Sequence, residues 1–157
     1  MPSSMTGAAG VYFVAARLNA MEFHCAATFG NVPSVDILVS SLDGSAQVAL
    51  QVKTTMWGLR YRGRGNERRP YEYQWDIGWK CARLNQPNLF FALVDLKGFK
   101  ELPEVFIVPS GIIATYFEAG PEGWPRPRYH ETVENLSNYR ENWKAISDMI
   151  HPAPVPE

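Results

Sequence analysis

Residues 34–54 carry the feature that most limits how this chain can fold, because two alternating, β-branched runs flank Asp43-Gly44. Asp-Gly is a favoured two-residue turn of a β-hairpin, so we expect two antiparallel strands in which Leu42 faces Ser45. The opposed apolar pairs are then Val35 with Val52, Ile37 with Leu50, and Val39 with Val48. A slip of one residue would turn this apolar set to the other face, so the sequence determines the register.

The opposite face of the same hairpin is polar. In this register Asp36 lies across from Gln51, and Lys53 lies two residues farther along the same face, because side chains alternate along a strand. Ser40 faces Gln47 on that side. The hairpin therefore packs one face on a core and presents a carboxylate, an amide and an ammonium group on the other.

The rest of the 157 residues is predicted to form one α/β domain over 1–150 with a Pro-rich flexible tail at 151–157. The expected elements besides the hairpin are a helix over 10–21, a strand over 23–28, a weak helix over 75–84, buried strands over 89–96 and 105–108, a short helix over 110–117 and a turn-rich connector over 120–127.

A last helix is predicted from an apolar stripe near the C-terminus, with Asn138 and Glu141 as its capping box. The stripe consists of Tyr139, Trp143, Ile146 and Ile150. Residues 55–73 are expected to be a long loop, since four breakers interrupt every regular pattern there. The breakers are Gly58, Gly63, Gly65 and Pro70.

The predicted loop concentrates positive charge. The chain has a net charge of -1, yet residues 1–100 carry +4 and residues 101–157 carry -5. The residues predicted to hold nucleic acid are Arg60, Arg62, Arg64, Arg68, Arg69 and Tyr61. Guanidinium groups bind phosphates and aromatic rings stack on bases, although such a run is also compatible with a merely solvated loop.

Several classes of protein are excluded by what the chain lacks. No window approaches the roughly 18 to 20 apolar residues of a membrane span. Met1–Gly10 has no charged start and apolar core of a secretory signal, so we expect a cytoplasmic protein without membrane contact. Cys25 and Cys81 are far apart and form no CxxC motif, which argues against a disulfide scaffold or a zinc site.

The polar face of the hairpin carries groups suited to phosphodiester chemistry. A carboxylate and a second oxygen ligand can hold Mg²⁺, and a neighbouring ammonium can orient a water molecule. Asp36, Gln51 and Lys53 supply these three groups. The pattern therefore predicts a hydrolytic site whose main task is to stabilise charge on a phosphate.

At these residues the sequence resembles the PD-(D/E)XK nuclease superfamily, in a Gln-x-Lys variant. The matching motifs are Pro33-Ser34-Val35-Asp36 and Gln51-Val52-Lys53, preceded by the helix that contains Gly10 to Leu18, and the resemblance covers roughly 10–115. It implies a restriction-endonuclease-like α-β-β-β-α-β core with a mixed central sheet flanked by helices, here with an extra C-terminal helix.

The same resemblance implies a function and a site. The chain would be a metal-dependent endonuclease acting on DNA, with Mg²⁺ or Mn²⁺ held by Asp36, Gln51 and the Val52 carbonyl. Asp36, Gln51 and Lys53 would form the catalytic set, with Lys53 orienting the water. By analogy with other members, a homodimer is a further expectation.

Two alternatives stay open from the sequence. Gln51 stands where most members of the superfamily carry an acid, and Val11 stands where many carry a glutamate. The chain could therefore be a catalytically inactive nuclease-fold module that binds nucleic acid or a protein partner. The acidic C-terminal half also fits a protein-interaction domain that binds no nucleic acid.

Overall fold

The structure, a computed structural model, describes residues 2–28, 34–120 and 126–151. The strands in these ranges are β1 (His24–Ala27), β2 (Ile37–Ser40), β3 (Gln47–Thr55), β4 (Leu59–Arg62), β5 (Arg69–Asp76), β6 (Leu89–Asp95), β7 (Glu104–Pro109) and β8 (Arg128–Thr132). The helices are α1 (Ser3–Ala20), α2 (Trp79–Ala82), α3 (Ser110–Glu118), α4 (Val133–Leu136) and α5 (Lys144–Ile150). The predicted flexible tail lies outside the described residues except for His151.

The strands form two sheets. The main sheet has the order β1-β2-β3-β6-β7, in which β3 and β6 are parallel and the other neighbours are antiparallel. The small sheet is antiparallel, with the order β4-β5-β8. The predicted α-β-β-β-α-β core is confirmed, because α1, β1, β2, β3, α2 and β6 occur in this order around a mixed sheet, with β4 and β5 inserted between β3 and α2, and α5 is the extra C-terminal helix.

Two apolar clusters hold the layers together. The first lies between the main sheet, α1 and α5, and it contains the predicted apolar face of the hairpin. The second lies between the other face of the main sheet, the small sheet and α3, with Trp75, Phe91 and Tyr129 almost fully buried. Each buried aromatic side chain removes a large apolar area from water, which stabilises the stacking of the two sheets.

The predicted hairpin register is confirmed over the body of the hairpin. Ile37 faces Leu50 and Val39 faces Val48, as expected. The turn is longer than predicted, because Ser41 N donates to Ala46 O across a four-residue loop. At the open end the register shifts, and Asp36 N donates to the Leu50 carbonyl at 2.8 Å. The predicted backbone pairing of Val35 with Val52 is therefore not part of the ladder.

The prediction of a long loop over 55–73 is wrong, because β4 and the first part of β5 lie there. Gly63 (φ 91°) and Gly65 (φ 54°) adopt left-handed backbone in the tip that joins the two strands, where glycine carries no steric penalty. A register shift between Arg60 and Tyr61 adds an irregularity that hides the alternation.

Three helix predictions also need correction. α1 begins at Ser3 rather than at residue 10, and the helix predicted over 75–84 is only the single turn of α2, because β5 continues to Asp76. The predicted capping box is not formed, since Trp143 occupies the N-cap position of α5 and makes no side-chain cap bond.

No helix among the described residues combines the length and apolar character needed to cross a bilayer.

Candidate metal centre and nucleic-acid interface

Asp36 lies immediately before β2, at the point where β2 separates from β3. Its backbone is fixed from both sides, because Asp36 N donates to Leu50 O and Asp36 O accepts from Thr28 N at 2.9 Å. Its carboxylate accepts two hydrogen bonds on Oδ2, one from the Gln51 amide and one from Val52 N at 2.7 Å. The side chain predicted to face Gln51 therefore does so, although the backbone ladder ends one residue earlier.

Gln51 is fixed at both ends of its side-chain amide. Nε2 donates to the Asp36 carboxylate, and Oε1 accepts a long hydrogen bond from the Cys81 thiol, with a sulfur-to-oxygen distance of 3.8 Å. Both Gln51 and Cys81 are buried. In this orientation the amide nitrogen, not the oxygen, faces Asp36, so that a half-turn of the amide is needed before Gln51 can act as an oxygen ligand beside the carboxylate.

Lys53 is half-buried two residues beyond Gln51 on the same face of β3. Within the described ranges it makes no ion pair, but its charge acts on Asp36. Burial raises the pKa of Asp36 above its ordinary value, and the Val52 N–H, the Lys53 charge and the Gln51 amide oppose this rise without cancelling it. The site thus combines a carboxyl group that ionises less readily than usual with an ammonium group that has no ion-pair partner in the described ranges.

The donor set at this point fits a hard divalent cation. The N–H and C=O groups of one strand residue point to the same side, so the Val52 carbonyl opens on the edge of β3 where its N–H meets Asp36. Asp36, a turned Gln51 amide and this carbonyl would supply three oxygen ligands, the type that Mg²⁺ prefers, with water and phosphate completing the shell. No group of three His, Cys, Asp or Glu side chains with metal-binding spacing occurs among the described residues.

The site lies at the boundary between a covered and an open part of the main sheet. The small sheet and α3 cover this face over β6 and β7. Over β1 and β2 the same face is open, with Leu38 42% exposed, and it borders a cavity of about 620 Å³ that His24 and Ser40 help to line. A polymer lying on the open half would reach Asp36 from solvent.

The predicted nucleic-acid-binding residues lie together on the arginine hairpin, which we define as residues 59–76. All five arginines and Tyr61 are exposed, and none of the arginines forms an ion pair within the described part of the chain. Arg62 lies over the Tyr71 ring at 4.9 Å, and Arg68 lies over the Tyr61 ring at 4.6 Å. These contacts hold the guanidinium groups in place and leave their charge free for an anion.

Arginines also line cavities at both ends of this hairpin. A cavity of about 490 Å³ at the tip is lined by Arg62, Gly63, Asn66, Glu67, Arg68 and Arg69. A small polar cavity of about 110 Å³ near the base is shared by Arg60 on β4 and Thr55 at the end of β3. This second cavity, which the ion pair of Asp76 and Arg128 also lines, connects the hairpin with the strand that carries Gln51 and Lys53.

Two residues of this region were not predicted from the sequence. Cys81 contacts Gln51, but nothing in the sequence links two residues 30 positions apart. Asp95 is only 2% exposed, and its carboxylate accepts hydrogen bonds from Leu59 N and Lys97 N. An acid that ends the apolar run Leu89–Asp95 was the available signal, because a buried carboxylate needs hydrogen-bond donors.

Comparisons with known proteins establish the fold. No family model and no curated protein matches this chain. The solved structure of a bacterial homing endonuclease, I-Ssp6803I, superposes on it with a TM-score of 0.55 and 17% sequence identity, covering 94% of this chain and 93% of that one. The chain therefore has a nuclease-like fold along nearly its whole length.

Proposed function

We propose that this protein is a metal-dependent endonuclease that hydrolyses phosphodiester bonds in DNA. The observation that carries the proposal is the convergence of Asp36, Gln51 and Lys53 on one sheet face, at the edge of its open part, together with five exposed arginines that form no ion pair with any described residue. The nuclease-like fold, and the activity named for the structure that it resembles, support the same assignment.

Asp36, Gln51 and the Val52 carbonyl are the proposed ligands of Mg²⁺ or Mn²⁺. Such a cation would supply Lewis acidity to a phosphate oxygen and a neutralising charge for the leaving group. The task of the protein is to keep the carboxylate ionised and in place. Val52 N–H does so by holding Asp36 Oδ2, which opposes the rise of its pKa that burial causes.

Lys53 is the proposed water-orienting residue. Its ammonium group has no anionic partner among the described residues that would neutralise it, yet it is near enough to Asp36 to lower the pKa of that carboxyl. An ammonium in this position can donate to a water molecule and to a phosphate oxygen, and so align the attack and stabilise the charge that develops.

The arginine hairpin is proposed to hold the DNA backbone. Charge-assisted hydrogen bonds from guanidinium groups to phosphates are strong and frequently bidentate. Since one site cuts one strand, we also propose that two copies of the chain act together on duplex DNA, a point that sedimentation of the protein with and without DNA can test.

A binding module without catalysis is the second candidate, and one contact favours it. The Gln51 amide donates to the one carboxylate that the described residues bring to the site, and this occupies a lone pair of that carboxylate that a metal ion would need. Such a module would bind DNA with a steep dependence on salt and with no dependence on metal.

Calorimetry and a cleavage assay separate the two candidates. Mn²⁺ is titrated into the protein with a DNA duplex present, for the wild type and for Asp36→Asn, and plasmid cleavage is followed for the wild type, Lys53→Ala and the control Lys144→Ala. An endonuclease binds Mn²⁺ only with Asp36 intact and loses cleavage by 100-fold or more in Lys53→Ala. Undiminished cleavage by Lys53→Ala would rule out the proposed site, and absence of Mn²⁺ binding in both proteins would leave the binding module.

A further inference from the structure

Two turns meet at the carboxyl ends of the parallel strands β3 and β6. Leu96 N donates to Thr55 O at 2.9 Å, and Gly98 N donates to Met56 O at 2.8 Å. The buried Asp95 carboxylate fastens the same two turns, since it accepts from Leu59 N at 3.2 Å and from Lys97 N at 3.0 Å. The turns are thus held as one rigid corner. In α/β sheets, ligands bind outside the carboxyl ends of parallel strands.

This corner exposes three large apolar side chains. The exposed fractions are 52% for Trp57, 58% for Phe99 and 84% for Leu102, and we call these three residues the aromatic corner. Lys100 lies beside it, with Nζ 5.7 Å from the centre of the Trp57 ring. Large apolar side chains that are more than half exposed are unfavourable in water. Three of them on one fixed corner therefore point to a binding partner.

The backbone at the aromatic corner adopts conformations that carry a steric cost. Lys97 (φ 48°), Gly98 (φ 61°) and Phe99 (φ 58°) are three consecutive residues in the left-handed region, and two of them carry side chains. Gly98 has a second constraint, because a Cβ there would collide with the Trp57 ring. Residues held in such conformations concentrate at functional sites. This turn keeps Phe99 outward instead of letting it pack against the domain.

We propose that the aromatic corner binds an unstacked nucleobase of the DNA that the arginine hairpin holds. The inference rests on the proposed function, since it requires the hairpin to bind DNA. The corner continues directly into that hairpin: Trp57 lies two residues before β4, and Gly58 O accepts from Gln74 N of β5. Lys100 has no ion pair within the described ranges, and the next cation along β4, Arg60, has none either.

Exposed aromatic rings beside cations that have no ion pair in the described ranges indicate that the partner is a nucleic acid. An apolar protein surface would leave Lys100 and Arg60 uncompensated, whereas a nucleic acid offers bases to the rings and phosphates to the cations. A base can stack on a protein ring only after it has left the helical stack. The aromatic corner therefore implies a preference for DNA with an unpaired base or a kink over a regular duplex.

Binding of two labelled duplexes, measured by fluorescence anisotropy in EDTA at low salt, tests this inference without cleavage. One duplex is fully paired, and the other carries a single bulged nucleotide. We expect the wild type to bind the bulged duplex about tenfold more tightly, the effect of one stacked base. Replacing the bulged nucleotide by an abasic sugar should remove this preference, and that comparison needs no variant.

Variants then test whether the preference for the bulged duplex arises from the aromatic corner. Trp57→Leu should remove most of the tenfold preference and change the affinity for the paired duplex less than twofold. Phe99→Asn, which tolerates left-handed backbone, should reduce the preference in the same sense. The matched control is Trp79→Leu, because Trp79 is similarly exposed, at 46%, but its ring packs against Phe117 of α3 and is not part of the aromatic corner.

The failure of this inference and that of the proposed function give different results. Equal affinity of the wild type for all three duplexes, or a preference that survives in Trp57→Leu, would overturn the stacking site and leave a protein partner as the occupant of the corner. No binding of any duplex by the wild type would overturn the proposed binding of DNA by the arginine hairpin, and the inference with it.

Discussion

Gln51 donates a hydrogen bond from Nε2 to Asp36 Oδ2, at the position where β2 separates from β3. The bond occupies a lone pair of the carboxylate that a metal ion would otherwise use, and it leaves the amide oxygen facing Cys81. The strength of any metal centre here therefore depends on what occupies position 51. This dependence can be measured.

Gln51→Glu should tighten metal binding and weaken the fold in the absence of metal. A second carboxylate adds a charged oxygen ligand but repels Asp36, so we expect about tenfold tighter Mn²⁺ binding and a loss of about 1–2 kcal/mol in the free energy of unfolding in EDTA. Calorimetry and chemical denaturation measure the two quantities. Gln47→Glu, on the same face of β3 but exposed, is the control and should change neither. Unchanged Mn²⁺ affinity in Gln51→Glu would contradict the assignment of this ligand.

Asp36→Asn should abolish Mn²⁺ binding and yet melt at a temperature equal to or higher than that of the wild type at pH 7. Burial raises the pKa of Asp36 in the folded protein above the unfolded value of about 3.9, so the ionised carboxylate lowers stability as the pH rises through this interval. Well below a pH of about 3.9 both states are protonated, so the difference between the two proteins should shrink towards pH 3. Thermal melts between pH 3 and pH 8 check this. A clearly lower melting temperature of Asp36→Asn at neutral pH would mean that the charge stabilises the fold.

The arginine hairpin should act on DNA through charge. Arg62→Ala, Arg64→Ala and Arg69→Ala should each weaken binding of every duplex similarly, and each should reduce the slope of log Kd against log salt concentration by about one. Arg140→Ala is the matched control, because Arg140 is already paired with Glu104 at 2.6 Å. A slope that is the same in the hairpin variants and the wild type would mean that these arginines do not contact phosphates.

The parts of the fold that could be predicted from the sequence are those that local patterns specify. The register of β2 on β3 follows from Asp43-Gly44 and from alternating apolar residues, and it holds although the turn is longer than predicted. β4 and β5 could not be predicted in this way, because the register shift at Arg60 breaks the alternation and because β5 pairs with β8, more than 50 residues away along the chain.

Some features of the candidate site could likewise be predicted from the sequence, and others could not. The proximity of Asp36, Gln51 and Lys53 follows from the hairpin register. The orientation of the Gln51 amide depends on Cys81, which the packing of α2 against the main sheet brings near. The aromatic corner requires β3 and β6 to be parallel neighbours, a pairing that no local pattern encodes.

The turn of the hairpin should carry a pH-dependent part of the stability. Hydrogen bonds from Ser41 and Ser45 lower the pKa of Asp43 to about 2. The carboxylate therefore contributes stability above the unfolded value of about 3.9, and this contribution is lost as the pH falls through about 2. Asp43→Ala should lower the melting temperature by a few degrees at pH 7, with a difference that shrinks towards pH 2. Asp43→Asn keeps an acceptor without a charge, so most of the stability should remain and its pH dependence should disappear.

The packing of α1 on β3 depends on Gly10 and Thr54. A Cβ at Gly10 would collide with the Thr54 side chain, whereas a Cβ at Gly7, on the same helix, would meet no atom within 4 Å. Gly10→Ala should therefore lower the free energy of unfolding by about 2–3 kcal/mol, because the helix must move off the sheet. The matched change Gly7→Ala should raise it by about 0.5–1 kcal/mol, since alanine favours the helix. Equal effects of the two changes in chemical denaturation would mean that α1 does not pack this closely.

A change of the partner residue makes the same contact testable from the other side. The Thr54 hydroxyl is the one buried side-chain polar atom in the described ranges without a hydrogen-bond partner. Thr54→Val keeps the shape and removes the unsatisfied group, so it should raise the free energy of unfolding by about 1 kcal/mol. Thr54→Ala removes Oγ1 and Cγ2, two of the three atoms that a Cβ at Gly10 would meet, and combined with Gly10→Ala it should cost at least about 1 kcal/mol less than the two single changes added together. Strict additivity in this cycle would show that the loss caused by Gly10→Ala does not arise from contact with Thr54.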